Sequence, residues 1–377
     1  MNYSEKERQM TGEVAARTAQ KIVQPKAAEI DATGEFPRDL VETFGKQGLL
    51  SIILPEEYGG TNGDIISFCR VIEEIAKVSG SSSLLILAQG VGSLPILEVG
   101  NSSQQERWLT RISESNHLAA LALMEPGGTI GSIKTRSERQ GGDYVINGQK
   151  GFVANGSVAD LYTVFCLTDP GQGSKGLSAF VVEKGTAGLT FGRKEEQLGM
   201  RGMAAADVFL ENCRVPVENR LGEVGEGGRI ATKTLLVLRT GVGAQAVGLA
   251  QGALDFAIHY AKERIQFGKP IVSFQAIQFM IADMATLVET ARALVYRAAG
   301  SVEAGSEDAE KLSAVGKVYA SDAAIKITTD AVQILGGYGY MKDYPVERMM
   351  RDAKVTQIYG GSNQAQRQII ASHLIKD

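Results

Sequence analysis

The sequence predicts an α+β protein in three parts: a helical part over 1–117, a β-domain over 118–225 and a helical bundle over 226–377. Three observations point there. Apolar residues recur at three- and four-residue spacing in the first and last parts, the period of helices with one buried face. Between them the chain breaks into short, partly alternating segments, with glycine or proline about every eight to twelve residues, as in a β-barrel or sandwich. The composition, 44% hydrophobic and 22% charged over 377 residues, is that of a globular chain long enough for about two or three domains.

The elements follow in order. Helical periodicity marks 5–30, 38–49, 64–79, 82–99 and 102–114. Gly100-Asn101-Ser102 supplies a start signal for the last of these. Pro55-Glu56-Glu57-Tyr58-Gly59-Gly60 reads as a loop. Strands are expected at 118–124, 132–140, 143–147, 150–154, 160–168, 176–183, 188–193 and 206–211. Helices return at 228–263, 272–303, 307–336, 345–353 and 362–375. The order helices, strands, helices implies a central β-domain.

Composition also excludes function classes. With 39 basic and 43 acidic side chains and a formal charge of −4, nothing attracts nucleic acid or an anionic membrane. His117, His259 and His373 are too scattered for a metal cage, and Cys69, Cys166 and Cys213 make neither a zinc knuckle nor a disulfide framework. This argues against metal-based and histidine-based nucleophilic catalysis, and reduced thiols suit a cytoplasm. The polar opening MNYSEKERQM carries no secretory signal. No stretch is expected to reach the roughly 18 apolar residues of a membrane helix. Glycine is high, at 44. Gly336-Gly337-Tyr338-Gly339 ends a helix rather than opening one after a strand. It therefore lacks a dinucleotide-fingerprint context and reads as a helix cap. An organic cofactor is left as the agent of any chemistry.

Several segments together resemble the acyl-CoA dehydrogenase family. They are Glu263-Arg264-Ile265-Gln266-Phe267-Gly268-Lys269-Pro270-Ile271, Gln333-Ile334-Leu335-Gly336-Gly337-Tyr338-Gly339-Tyr340, Glu347-Arg348 with Arg351-Asp352-Ala353, and Ile358-Tyr359-Gly360-Gly361-Ser362. Asn147-Gly148-Gln149-Lys150 and Leu198-Gly199-Met200-Arg201-Gly202 add to them. The resemblance implies FAD, an acyl-CoA substrate, an electron-transfer flavoprotein as acceptor and a homotetramer. It implies that Arg264 and Phe267 reach a neighbouring subunit's FAD; a guanidinium offers a diphosphate paired donors. Gln333, Gly336 and Gly337 would admit the adenosine side, and Ser362 and Gln364 would meet FAD at the chain's own site. Arg239 matches an arginine near the CoA channel, with a structural salt bridge as the alternative. The acyl pocket is expected among Leu87, Ala88, Gln89, Val91, Ser93, Tyr359 and residues near 235–243, with Gly241 and Gly243 either widening it or packing helices closely. No acidic or basic residue other than Arg239 falls in 80–97 or 234–243, so an apolar or weakly polar acyl group is expected.

The departures from the family carry the sharper expectation. The resemblance places the family's general base, a glutamate, at Gly360, and a minority alternative at Leu238. Neither side chain can accept a proton. The Gly360 N–H is expected to survive as a donor to the thioester carbonyl. The family's W-I-T-N-G segment reads Phe152-Val153-Ala154-Asn155-Gly156, so Phe152 and Ala154 stand where tryptophan and threonine meet the flavin. The segment Met124-Glu125-Pro126-Gly127-Gly128-Thr129-Ile130-Gly131-Ser132 is shorter and has lost an aspartate, with Met124 expected at the cofactor. Three altered segments suggest changed chemistry. An acyl-CoA dehydrogenase acting on a cyclic or otherwise unusual acyl group is the leading expectation. A non-oxidative acyl-CoA desulfinase, a flavin monooxygenase and a non-catalytic acyl-CoA binder are the alternatives.

Overall fold

The computed structural model describes residues 3–114, 116–128 and 130–375. The expected helix over 5–30 is one helical path with a defect. It runs as α1 (Glu5–Thr18), a π turn (Ala19–Val23), a 3-10 turn (Gln24–Lys26) and α2 (Ala27–Thr33). Ser4 opens α1 with a capping box to Glu7. Pro25 has no N–H and crowds the carbonyl four residues back, so the ladder loosens just before it. Helices α3 (Arg38–Lys46), α4 (Ile65–Ala76), α5 (Gly80–Val99) and α6 (Ser102–Glu114) complete the first part.

Helix α5 overturns one expectation. It is long and apolar enough to cross a membrane, but 83% of its apolar window is buried inside the protein. Every residue from Gly80 to Ile96 is buried. It is a core helix, apolar on all sides because protein surrounds it.

The middle of the chain forms strands β1 (Ala119–Ala122), β2 (Arg136–Gln140), β3 (Asp143–Val153), β4 (Leu161–Leu167), β5 (Leu177–Glu183), β6 (Leu189–Lys194), β7 (Ala206–Pro216) and β8 (Arg220–Leu221). They make one sheet in the order β6-β7-β3-β2-β4-β5-β8, and β1 joins β4 in parallel. Two predicted strands, 143–147 and 150–154, are one continuous strand. Asn147-Gly148 makes an irregularity against β7 rather than a turn. Gly148 fits there because a Cβ would lie 2.4 Å from Thr135 Oγ1.

The last part is α7 (Gly227–Glu263), the short hairpin β9 (Ile265–Gln266) and β10 (Lys269–Pro270), then α8 (Gln275–Glu303), α9 (Ala309–Leu335), α10 (Pro345–Thr356) and α11 (Asn363–Leu374). Helix α7 is buried along most of its length between α4, α5, α8 and α9.

Two ionic groups hold the fold: a half-buried one joins its first and last parts, and a buried one lies within the β-domain. Arg351 on α10 binds Asp31 of α2 through Nη1 and Nη2 at 2.9 and 2.6 Å, and Glu347 through Nε at 2.7 Å. It also donates to the Leu198 carbonyl at 3.0 Å, while the next residue, Asp352, accepts from Met200 N–H at 2.5 Å. Burial pushes the Asp352 carboxyl up to about 6. The segments Leu198–Gly202 and Arg351–Ala353 are thus partners in one joint.

The second group lies under the sheet. Lys150 is fully buried; its Nζ donates to Glu125 Oε1 at 3.0 Å and to the Leu123 carbonyl at 3.1 Å. Glu125 also accepts from Thr135 N–H, Thr135 Oγ1 and Lys134 N–H at 2.9, 2.6 and 2.7 Å. Burial pushes the Glu125 carboxyl up, but these donors outweigh it and hold the group below the usual range. Glu125→Ala strands the Lys150 ammonium in the core and should cost about 3–5 kcal/mol. Glu125→Leu combined with Lys150→Met should recover most of that loss, both measured by urea unfolding.

Candidate functional site

Helix α7 ends at Glu263, and the Arg264 N–H still bonds the Tyr260 carbonyl at 2.9 Å. The hairpin that follows turns through Phe267 and Gly268, both at positive φ. This throws the Phe267 ring out of the body, where it is 92% exposed, edge-on to Phe274 at 6.1 Å. The Arg264 guanidinium lies 5.2 Å over the Tyr338 ring and has no carboxylate partner among the described residues. Helix α9 ends beside it. Gly336 caps that helix at φ 61, and a Cβ on Gly336 or Gly337 would meet nothing within 4 Å. The capping and cofactor readings of these glycines are therefore compatible. Arg264, Phe267, Ile271, Leu335, Gly336 and Gly337 share one apolar cavity of about 560 Å³. Gln333 is exposed on the last turn of α9, outside the lining.

A second apolar face lies on the sheet. The Gly151 N–H bonds the Met124 carbonyl at 2.9 Å, which brings Met124 and Phe152 onto neighbouring segments. Met124 is 40% and Phe152 72% exposed. The Phe152 backbone, at φ 52, donates to Asp207 Oδ1 at 3.1 Å. Ala154 is half-buried two residues on. Thr129 of the shortened segment lies outside the described residues.

The third component is the turn between α10 and α11. Gly360 and Gly361 both have positive φ, 67 and 88. Ser362 caps α11 by accepting from Ala365 N–H, and Gln364 is exposed in its first turn. Gln366 Nε2 donates to the carbonyls of Gly360 and Gly361 at 3.2 and 3.1 Å. From below, the fully buried Lys317 of α9 donates to the Gly361 carbonyl at 2.9 Å and to Asn363 Oδ1 at 2.8 Å. A Cβ on Gly360 would lie 3.2 Å from Val242 Cγ2 and 3.5 Å from Leu238 Cγ. Positions 360 and 238 therefore face each other across the α7 surface.

Tyr359 is committed elsewhere. Its hydroxyl donates to Gln245 Oε1, whose Nε2 donates to Ser83 Oγ at 2.9 Å and the Gly80 carbonyl at 3.2 Å. Burial holds the phenol well above its ordinary pKa. Arg239 is buried, with Nη1 3.7 Å from Glu310 Oε1, and neither its Nε nor its Nη1 has a hydrogen-bond partner. Burial pushes its pKa down, against the pull of Glu310.

The structure shows what holds the other residues expected at the pocket. Gly241 and Gly243 do not widen it. Added Cβ atoms would come 2.4 Å from Leu87 Cδ1 and 2.8 Å from Val295 Cγ2, so both glycines serve close helix packing. The Gln89 amide is spent on backbone: its Nε2 donates to the His117 carbonyl at 2.9 Å and its Oε1 accepts from Ala119 N–H at 2.8 Å. Ser93 Oγ donates to the Gly90 carbonyl at 3.0 Å, and Val91 is buried in the core. Sequence reasoning missed Gln245, Lys317 and Gln366. The available signal was a long polar side chain among small apolar neighbours, as in Ala244-Gln245-Ala246.

Comparison with known proteins matches this geometry to a family along the chain. The N-terminal domain model of acyl-CoA dehydrogenases matches residues 5–116, the middle domain 120–213 and the C-terminal domain 225–375. The chain belongs to the acyl-CoA dehydrogenase family. It is 47% identical, over all of both chains, to cyclohex-1-ene-1-carbonyl-CoA dehydrogenase of Geobacter metallireducens. It superposes on a chain from structural work on the electron transferring flavoprotein of Acidaminococcus fermentans with TM-score 0.96 and 43% identity, covering 100% of both. An acyl-CoA dehydrogenase complexed with FAD from Bacillus anthracis matches with TM-score 0.91 and 31% identity, over 99% of this chain and 67% of that one.

The protein is thus an FAD-dependent oxidoreductase. The donor set fits the cofactor: an unpaired guanidinium over an aromatic ring, apolar walls and two open glycines suit an anionic group joined to a flat ring system. Gly360 holds a left-handed backbone that costs a residue with a Cβ about 1–2 kcal/mol. Gly360→Ala should lower the unfolding free energy by about that amount in urea denaturation, whatever its effect on turnover.

Proposed function

We propose that this acyl-CoA dehydrogenase passes the substrate proton to a base other than a glutamate at either family position, and acts on a cyclic acyl-CoA. One observation carries the reading. Gly360 and Leu238, where the resemblance places the family's alternative bases, lie against each other across the α7 surface, and neither can ionise. The 47% identity to a cyclohex-1-ene-1-carbonyl-CoA dehydrogenase supports the cyclic acyl group. FAD, when bound, supplies the hydride acceptor. The chain itself contributes the Gly360 N–H, a donor for the thioester oxygen that stabilises enolate-like charge, and an apolar surface from Leu238 and Val242 that excludes water from the acyl group.

Met124, Phe152 and Ala154 would face the flavin ring, and Ser362 and Gln364 its ribityl side. Arg264 and Phe267 would reach the FAD of a neighbouring subunit in a tetramer, with Gln333, Gly336 and Gly337 beside its adenosine. The near-total exposure of the Phe267 ring supports a partner that covers it. Electrons would pass to an electron-transfer flavoprotein.

Two outcomes test this reading. Cyclohex-1-ene-1-carbonyl-CoA should bleach the flavin absorbance under anoxia, while butyryl-CoA should leave it unchanged. Leu238→Glu, which restores a carboxylate without straining Gly360, should create bleaching by butyryl-CoA. Normal oxidation of butyryl-CoA by the unaltered protein would refute the missing-base reading. Separately, Arg264→Ala removes charge-assisted hydrogen bonds worth about 1.5–3 kcal/mol. FAD affinity should fall roughly tenfold or more, seen as a lower ratio of visible to 280 nm absorbance after gel filtration.

A further inference from the structure

We infer that Lys317 is a positioning residue for the reaction: it clamps the Gly360–Gly361 turn and places a positive charge against the turn that carries the Gly360 N–H. The inference rests on the thioester reading of the Gly360 N–H given above. The geometry is specific. Lys317 is fully buried, two turns into α9, with Nζ 2.9 Å from the Gly361 carbonyl and 2.8 Å from Asn363 Oδ1. Asn363 is held in turn, its Nδ2 donating to Ser321 Oγ at 2.9 Å and to Asp322 Oδ1 at 2.8 Å. Gln366 ties down the Gly360 carbonyl from α11. Both carbonyls of the double-glycine turn are thus drawn to side chains. In a trans peptide the N–H points opposite its carbonyl, so these bonds fix the Gly360–Gly361 and Gly361–Ser362 peptide planes, the two that follow the Gly360 N–H.

Two consecutive left-handed glycines have the widest backbone freedom available. Without a clamp the turn would not hold one donor geometry, and the family's catalysis depends on a donor held in place. The ammonium bonded to the Gly361 carbonyl also sets a positive charge against the turn, and its field favours negative charge on an acceptor of the neighbouring Gly360 N–H. The charge matters more here than it would beside a carboxylate base, because neither 238 nor 360 offers an ionised group to draw the proton away.

The environment of Lys317 makes that charge titratable. Burial pushes the ammonium down to about 7; Asp322 on its own helix opposes this, while Arg239 of α7 and Arg367 of α11 add to it. The cation is therefore present below about pH 7 and lost above it. A neutral amine keeps two N–H donors, so the clamp outlasts the charge.

The test uses flavin-loaded protein with cyclohex-1-ene-1-carbonyl-CoA as probe and two readouts: anaerobic bleaching rate across pH 6–8.5, and hydrogen exchange of the 357–366 segment by mass spectrometry. Lys317→Met removes donors and charge. It should slow bleaching by about tenfold to hundredfold, as expected when reacting groups lose their alignment, and should speed exchange in that segment alone. Lys317→Gln keeps a donor without the charge. It should leave exchange protected but abolish the fall in rate above about pH 7. If Lys317→Met does not fold, Lys317→Gln carries the test through its pH profile. A folded Lys317→Met protein with unchanged exchange and unchanged rate overturns the inference. If the unaltered protein is not bleached by the probe, the substrate reading fails, and the exchange measurement still decides whether Lys317 clamps the turn.

Discussion

Close packing along α7 is the constraint on which the rest of the structure depends. This helix places glycines at close crossings with α4, α5 and α8. A Cβ on Gly248 would lie 2.3 Å from the Glu73 carbonyl, and one on Gly252 1.9 Å from the Lys77 carbonyl. These contacts let α4 approach to backbone distance, and Gly241 does the same for Leu87 of α5. Interiors packed at crystal-like density transmit such constraints rather than absorb them. The face of α7 that carries Leu238 and Val242 is thereby fixed in space, and the Gly360 turn comes to rest on it.

The polar interior works with this packing. Tyr359, Gln245 and Ser83 form a hydrogen-bonded line from the end of α10 through α7 to α5. Arg351 joins α10 to α2 and to the loop at Leu198. Each chain of bonds crosses between parts of the molecule far apart in sequence, and buried donors left unmatched would be costly. The Gly360 turn therefore stands where α7, α9 and α11 meet, set by packing against α7 and by the bonds from Lys317 and Gln366. Arg239 is the exception. Its buried guanidinium lacks partners for Nε and Nη1, with Glu310 Oε1 3.7 Å from Nη1.

On the proposed reading, chemistry at this site is shaped by a missing group. A carboxylate at 360 or 238 would supply the proton acceptor directly. Here an apolar contact between α7 and a double-glycine turn occupies that space. What remains is a donor, the Gly360 amide, and behind it a buried lysine and a glutamine that hold the turn. On that reading the chain's own contribution is to stabilise negative charge on the substrate oxygen through the Gly360 N–H.

The order of elements was legible in the chain alone, because periodicity reports which face of each segment is buried. The bounds of α6 and α7 lie close to the expected 102–114 and 228–263. Strand β3 did not divide where Asn147-Gly148 suggested, because pairing with β7 continues through that point. Nor did 5–30 form one regular helix, since Pro25 loosened it. Motifs marked the candidate site: Arg264, Phe267, Gly336 and Gly337 do share one cavity. The departure at Gly360 was also visible, as a glycine in place of an acid. Tertiary structure alone decided the rest. It spent Gln89 and Ser93 on backbone carbonyls and amides, turned Gly241 and Gly243 into packing contacts, and brought Lys317 and Gln366 under the turn. Sequence spacing shows which residues share a face of one element. Only the packing of separate elements shows which of those faces meet.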